Sequence, residues 1–582
     1  MIAGHKPMSL KWSLAPEPDH ELVASLTTQA ELPNQIVRIL INRGLETSDK
    51  ISQFLSPDLS DLRDPLTMLG MEAAIRRIGL AFVNNEKTMI YGDYDVDGIT
   101  ATALLYIVLN KLGAQVDYYL PNRLVAGYGL SVEAINAAKE KGISLIITVD
   151  TGITAVDEIK YAASLGIEVI VTDHHEQGET VPDACALVNP KQLKCTYNEE
   201  LSGVGVAYKF AQALYRSLNQ DEGELEEHLD LVALGTSADI VPLIGENRVI
   251  TKFGLKQISR TTKPGLKSLT FVSGLMGKDI STGQVVFILA PRINALGRLG
   301  DAGAAVRLLA TRDEQVAAEI ARKLDSENRR RKEIDERTLQ DALDQMAEVT
   351  DLENDKAIVL AGEGWHQGVI GIVASRLVER YHLPTVMISI SDGEGKGSAR
   401  SIPGFHLCEA LKECEDLLIK YGGHKYAAGL SIKQENVAEF RKRFIEVSNE
   451  RLSDDDIVPK LHIDLEIELS DISDAFVHAI DSFAPFGPQN MRPVFLTRNC
   501  EVVGRPYTVG RNHLRMRVRK GSAMYDVIGY GFGDMARQIS SDGCLVDLVY
   551  VVEFNTYNGV TRIQIRLKDI KLTVSTMAPG YK

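Results

Sequence analysis

The sequence predicts an α/β protein of several domains. It places a parallel, doubly wound sheet over residues 85–312, a long bridging helix over 313–349, a second α/β domain over 350–455, a connector over 456–495 and a small closed β-barrel over 496–582. Three observations carry this. Short apolar runs alternate with helix-like segments from residue 87; residues 313–349 lack both Gly and Pro; and the last stretch is built of short runs of alternating polarity separated by Gly, Asn and Asp. At 582 residues the chain is too long for one hydrophobic core.

Taken in order, residues 1–84 read as a helical segment. Two helices over 32–56 are broken at Gly44 and followed by Pro57, and a third covers 71–84. Strands at 87–91, 114–120, 144–150 and 167–173 then alternate with helices at 99–112, 131–141 and 154–165. Ser131 and Thr154 stand where N-caps belong, and Gly113, Gly142 and Gly166 where helices should stop. Such alternation requires crossover connections, hence parallel strands.

The formal net charge of -15 argues against a protein that coats polyanions through bulk electrostatics, but leaves room for a local basic groove. Six cysteines without C-x-x-C spacing indicate neither a zinc ribbon nor a disulfide framework; they read as thiols in a reducing compartment. The N-terminal residues lack an apolar signal core, and no run of about 18 apolar residues occurs. The expectation is a soluble, cytoplasmic protein.

Polar residues gather at the ends of the predicted strands. Asp93, Asp95 and Asp97 follow the first, Asp150 follows the third, and Asp173, His174 and His175 follow the fourth; Asp239 follows a later apolar helix. In an open α/β sheet the carboxyl ends of the strands form the ligand crevice, so residues distant in sequence converge there. Carboxylates this close repel one another unless cations hold them. An EF-hand is excluded, since Leu104 occupies the twelfth loop position and a strand enters the loop. A turn whose acids merely cap the next helix is the plainer alternative. Carboxylates with one or two imidazoles suit Mn²⁺ or Mg²⁺ better than structural zinc, and the number of acids suits a pair of ions.

The segments GDYDVDG, VDTGI, VTDHHE and GTSADIVPL, in that order, resemble the four motifs of the DHH phosphoesterase superfamily. PNRLVAGYGLS (121–131), APRINALGR (290–298), GWHQGVIGIVASR (364–376), GSARSIPGFHL (397–407), YGGHKYAAGLS (421–431) and PFGPQNMRPVF (485–495) narrow the resemblance to the RecJ family of single-strand-specific 5′→3′ DNA exonucleases. The one departure is Tyr91, where many members carry His. The resemblance implies that Asp95, Asp97, Asp150, His174 and Asp239 hold two divalent ions, Mn²⁺ or Mg²⁺, with Asp150 bridging. It puts His175 beside the attacking water or the phosphate, with Asp93 nearby, and makes the second α/β domain of the DHHA1 type. It implies hydrolysis of single-stranded DNA to 5′-mononucleotides in recombination and repair, beside a single-strand-binding protein and a DNA helicase.

Several further residues are read as substrate contacts. Ser398 and Arg400, in a small-residue turn, can bind a phosphate, which the resemblance makes the terminal 5′ phosphate, and His424 lies in a similarly permissive stretch. Arg123 and Tyr128 can pair a guanidinium on phosphate with a ring on a base; Arg292 and Arg298 are phosphate candidates by the resemblance. In the long helix, Arg329, Arg330, Arg331 and Lys332 form a basic patch that is either a solvated face or a DNA contact. The C-terminal runs fit a five-stranded barrel of the OB type, on which Arg515, Arg517 and Arg519 share one strand face near Tyr507 and His513, as a surface tracking single strands requires. A DHH phosphodiesterase of short oligonucleotides or cyclic dinucleotides would need no such barrel. A manganese pyrophosphatase would need only two domains, and a non-catalytic binding module would not need the full set of acids.

Overall fold

The structure is a computed structural model of the chain, and it describes residues 10–121, 129–299, 302–539, 543–557 and 559–573. The chain forms two compact units. One comprises the described residues of Met1–Asp58, Val458–Phe486 and Asn490–Lys582; the other comprises Leu59–Ile457 with Gly487–Gln489.

Strand β1 (Lys11–Leu14) precedes helices α1 (His20–Ala30), α2 (Asn34–Asn42) and α3 (Ser48–Leu55). Asp19 and Thr47 cap α1 and α3 by accepting from Leu22 N and Lys50 N. Gly44, at φ 80°, turns the chain between α2 and α3. The helical segment expected over 1–84 is therefore divided. The buried faces of α1 to α3, including Ile36, Val37 and Leu40, share a core with Phe476, Phe483 and Phe495. Helix α4 (Met71–Val83) instead buries Met71, Ala74 and Ile78 with Ile90, Leu104 and Leu145 of the following α/β layer. Which core each helix joins is decided by contacts across more than 400 residues, beyond the reach of local pattern.

The α/β layer runs β2 (Lys87–Gly92), α5 (Val96–Lys111), β3 (Gln115–Tyr119), α6 (Val132–Glu140), β4 (Leu145–Val149), α7 (Val156–Ser164), β5 (Glu168–Thr172) and β6 (Ala186–Val188). The sheet order is β3-β2-β4-β5-β6, and every pairing is parallel. All five residues of β4 are buried, as expected of a strand covered on both faces. Ser131 caps α6 by accepting from Ala134 N. Thr154 does not cap α7: the N-cap is Ala155, with no side-chain bond. Helices α8 (Gly203–Ser217), α9 (Leu229–Ala238), α10 (Gly245–Ser259), α11 (Pro264–Val272), α12 (Thr282–Gln284), α13 (Ala290–Leu299) and α14 (Gly303–Ala310) follow, with a π-helical turn at Val285–Leu289 before α13. Asp313 then caps the 36-residue helix α15 (Glu314–Val349).

The second sheet combines β7 (Ile358–Glu363), α16 (Gln367–Tyr381), β8 (Thr385–Ser391), β9 (Glu394–Arg400), α17 (Leu407–Lys412), β10 (Leu418–Gly423), β11 (Ala427–Lys433) and α18 (Val437–Arg451) in the strand order β10-β11-β9-β8-β7. Only the β7–β8 pair is parallel.

The first unit resumes with β12 (Lys460–Ile463), which pairs in parallel with β1, then β13 (Leu465–Glu466) and α19 (Asp474–Asp481). Strands β14 (Phe495–Val509), β15 (His513–Lys520), β16 (Ala523–Tyr530), β17 (Leu545–Tyr557) and β18 (Val560–Leu572), with α20 (Met535–Gln538) between β16 and β17, complete it. Because β14 pairs with both β15 and β17, and β18 with both β16 and β17, the five strands close into a barrel of OB type. Trp12 Nε1 donates to Asp569 at 2.7 Å, fastening β1 to the barrel.

Candidate metal centre

The three aspartates after β2 enter the start of α5. Asp95 is its N-cap, and its Oδ1 accepts from Asp97 N and Gly98 N at 3.0 and 3.1 Å. The capping role and the clustering of acids thus coexist. Gly98 is required because a Cβ there would stand 2.5 Å from the Asp93 carbonyl oxygen. Asp97 lies 1% exposed, and its carboxylate receives Gly203 N at 2.6 Å and Val204 N at 2.8 Å from the first turn of α8. That turn donates backbone N–H groups to an anion, the usual chemistry of a helix start.

Asp150 follows β4 at φ 60°, a left-handed conformation that costs a non-glycine residue on the order of 1 kcal/mol and that functional sites tolerate. His174 Nε2 lies 3.1 Å from Asp150 Oδ1, 3.5 Å from Asp239 Oδ2 and 3.9 Å from Asp97 Oδ2. Asp239 reaches this point as the C-cap of α9. Ligand atoms of Asp93, Asp95 and Asp150, of Asp150, His174 and His175, and of Asp97, His174 and Asp239 form three sets, each within 4.8 Å. Five carboxylates and two imidazoles brought together from β2, β4, β5 and α9 thus occupy one end of the parallel sheet.

Asp173 organises the loop after β5. Its Oδ1 accepts from His174 N at 2.7 Å and His175 N at 3.1 Å and faces His175 Nδ1 at 2.8 Å, while Oδ2 accepts from Ile153 N at 2.9 Å. Asn189, after β6, donates to the His175 carbonyl at 2.9 Å. Burial opposes the charge on Asp173, but the bonds from His175 and Ile153 outweigh it and hold its pKa below the usual range. Burial likewise opposes protonation of His175, yet its bond to Asp173 and the nearby acids raise its pKa.

Elsewhere in the cluster burial wins. It pushes Asp97 up to about 7, with Asp95 adding repulsion. Burial and the neighbouring aspartates push Asp150 and Asp239 well above the carboxylate range. Burial and His175 push His174 down to about 3. Asp150 Oδ1, Asp239 Oδ2 and both ring nitrogens of His174 are buried without a well-formed hydrogen bond. Buried acceptors facing one another are costly. A set of oxygen donors with one neutral imidazole fits divalent ions of the Mn²⁺ or Mg²⁺ class.

Residues 87–236 match the DHH family N-terminal domain, 354–450 the DHHA1 domain and 463–569 the RecJ OB domain. A single-stranded-DNA-specific exonuclease RecJ of Bacillus subtilis (strain 168) is 41% identical over 565 residues, which is 96% of this chain and 70% of the relative. That of Escherichia coli (strain K12) is 34% identical, covering 93% of this chain and 96% of its own. The chain belongs to the RecJ family. A crystal structure of RecJ in complex with Mn²⁺ from Thermus thermophilus superposes on this RecJ-family chain with a TM-score of 0.84 at 30% identity, covering 97% of this chain and 80% of that one.

The other residues read from the sequence of this RecJ-family chain fall in several places. Arg123 and Tyr128 lie outside the described residues, as does the side chain of Arg298, whose backbone belongs to α13. Arg292 bridges α13 to α15, with Nε donating to Asp325 Oδ1 at 3.0 Å and Nη1 to the Ile288 carbonyl at 2.7 Å. Ser398 and Arg400 are neighbours on β9, with Arg400 Nη1 3.1 Å from Ser398 Oγ. Gly371 of α16 makes room for them, since a Cβ there would stand 2.8 Å from Ser398 Oγ. His424 is exposed in the turn between β10 and β11.

On the barrel, Arg515, Arg517 and Arg519 all face outward from β15. Arg517 pairs with Asp526 at 3.1 Å and Arg519 with Glu501 at 2.9 Å, and Tyr507 lies opposite Arg515 across the ladder. The sequence reading assigned no role to Asp173, Asn189 or the amides of Gly203 and Val204. The S-G-V-G stretch at 202–205, a capping residue before two glycines, is the signal that points to those amides.

Proposed function

We propose that this chain hydrolyses single-stranded DNA from its 5′ end, releasing 5′-mononucleotides, and that Asp95, Asp97, Asp150, His174 and Asp239 hold two divalent ions for the purpose. The observation that carries the proposal is the cluster of acids and imidazoles at the carboxyl edge of the sheet, in which Asp150 Oδ1, Asp239 Oδ2 and both ring nitrogens of His174 are buried without a well-formed hydrogen bond. When bound, such ions neutralise the phosphate and acidify a water. The protein's own part is preorganisation. The first turn of α8 fixes Asp97, and the Asp173 carboxylate fixes His175 and favours its charged form. In this proposal His175 holds a proton near the attacked phosphate, with Asp93 on the neighbouring loop.

Ser398 and Arg400 form the terminal-phosphate contact in this proposal, with Arg123, Tyr128, Arg292, Arg298 and His424 as further substrate contacts. The barrel face carrying Arg515, Arg517, Arg519 and Tyr507 binds single-stranded DNA in the same proposal. Work beside a single-strand-binding protein and a helicase, in the cytoplasm, belongs to the same proposal. No helix among the described residues is long and apolar enough to cross a membrane. The test is incubation with Mn²⁺ and oligonucleotides labelled at either end, single-stranded and duplex, with Asp150→Ala as the inactive control. Mononucleotides should appear first from the 5′ end of the single strand; attack from the 3′ end, or equal attack on duplex, would overturn it.

A further inference from the structure

The sheet order assigns each strand a contribution to the centre: aspartates after β2, Asp150 after β4, the histidines after β5. The next strand, β6, ends not on an acid but on Asn189, Pro190 and Lys191. Asn189 is buried, and it locks this turn to the histidine loop from both sides. Its Nδ2 donates to the His175 carbonyl at 2.9 Å, and its Oδ1 accepts from Lys191 N at 2.8 Å. The Lys191 backbone is thus fixed relative to His175. Its ammonium stands 3.2 Å from Glu176, the residue after His175, whose side chain is 74% exposed.

An anionic strand drawn to this edge meets a lysine whose present partner is a solvent-exposed carboxylate, and such pairs are weak. A phosphodiester oxygen is a good replacement for it, because a flexible ammonium reorients among acceptors at little cost. We infer that Lys191 is a backbone-phosphate contact of the single strand at the β6 side of the centre, with Glu176 holding the ammonium until the strand displaces it. This rests on the single-strand exonuclease reading above.

The contact is made to the ground state and transition state alike, so it governs KM. With Mn²⁺ and a labelled single strand, Lys191→Ala should raise KM about tenfold while kcat stays within about twofold. It should also make the slope of log(kcat/KM) against log[salt] shallower by about 0.7, one phosphate contact on a single strand. Lys191→Arg should restore most of the loss. Glu176→Gln should lower KM about threefold in the wild-type background and have no effect in the Lys191→Ala background, a dependence that a merely structural role would not produce. An active wild type whose Lys191→Ala variant keeps its KM and its salt slope would overturn this inference alone. A wild type inert on single strands would overturn the exonuclease reading and this one with it.

Discussion

Replacing Asp173 by Asn tests whether the loop after β5 is held by one carboxylate. The side chain is 1% exposed, so water cannot rescue a lost bond. Its two oxygens face four donors: the N–H groups of His174, His175 and Ile153, and the ring nitrogen of His175. An amide has one oxygen. If it faces the histidine loop, its NH₂ confronts Ile153 N–H, so one bond to an ionised acceptor, about 2 kcal/mol, is lost and replaced by donor against donor. The remaining three bonds become neutral-acceptor bonds, each weaker by about 1 kcal/mol, for a total loss of about 5 kcal/mol.

The pH dependence follows from the two shifts. Asp173, held low, contributes stability above its free value of 3.8 that is lost as pH falls through its folded pKa. His175, held high, contributes stability below 6.5 that is lost as pH rises through its own folded pKa. The wild-type advantage in thermal unfolding, measured in EDTA, should therefore be widest between about pH 4 and about pH 6.5. The kcat profile of the variant in Mn²⁺ should show the limb assigned to His175 shifted to lower pH. Coincident melting curves with an unshifted profile would refute the role given to Asp173.

Two other outcomes are expected. Burial and mutual repulsion leave Asp97, Asp150 and Asp239 more basic than in the unfolded chain, so the metal-free folded state binds the extra protons and loses stability as pH rises from about 4 towards about 7. Mn²⁺ displaces those protons, so the rise in Tm on adding Mn²⁺ should be larger at about pH 8 than at about pH 5.5; an equal rise at both would contradict it. Gly203→Ala would place a Cβ 2.5 Å from that of Asp150 and push the start of α8 off Asp97. Loss of about 10²-fold in kcat, with weaker Mn²⁺ binding by calorimetry and a near-normal melting curve in EDTA, is the expected result. Unchanged kinetics would show that the turn tolerates displacement.

The sheet and the centre were legible because both are written locally. Buried parallel strands are short apolar runs, and acids at their ends share an edge whatever their separation in sequence. What escaped the sequence depends on contacts between distant segments. Strand β1 is four residues whose partner, β12, begins at Lys460. Arg517 and Arg519 share the outward strand face expected of them, and the barrel register, which local pattern does not give, sets Asp526 and Glu501 beside them. Arg292 is a phosphate candidate by the resemblance, and its pairing with Asp325 across two helices is visible only in the fold. Asp173 was visible as one of several polar residues at a strand end; only the folded loop reveals that four donors converge on it.

The division of the N-terminal segment between two cores has a consequence for biogenesis. Helices α1 to α3 leave the ribosome well before the apolar surfaces that cover them, which lie in residues beyond Val458, some 400 positions later. At a synthesis rate of about 5–20 residues per second, those faces wait roughly 20–80 s for their complement while the intervening unit folds. These helices are thus buried only after the later segment that covers them has been made, and over that interval their apolar faces lack that complement.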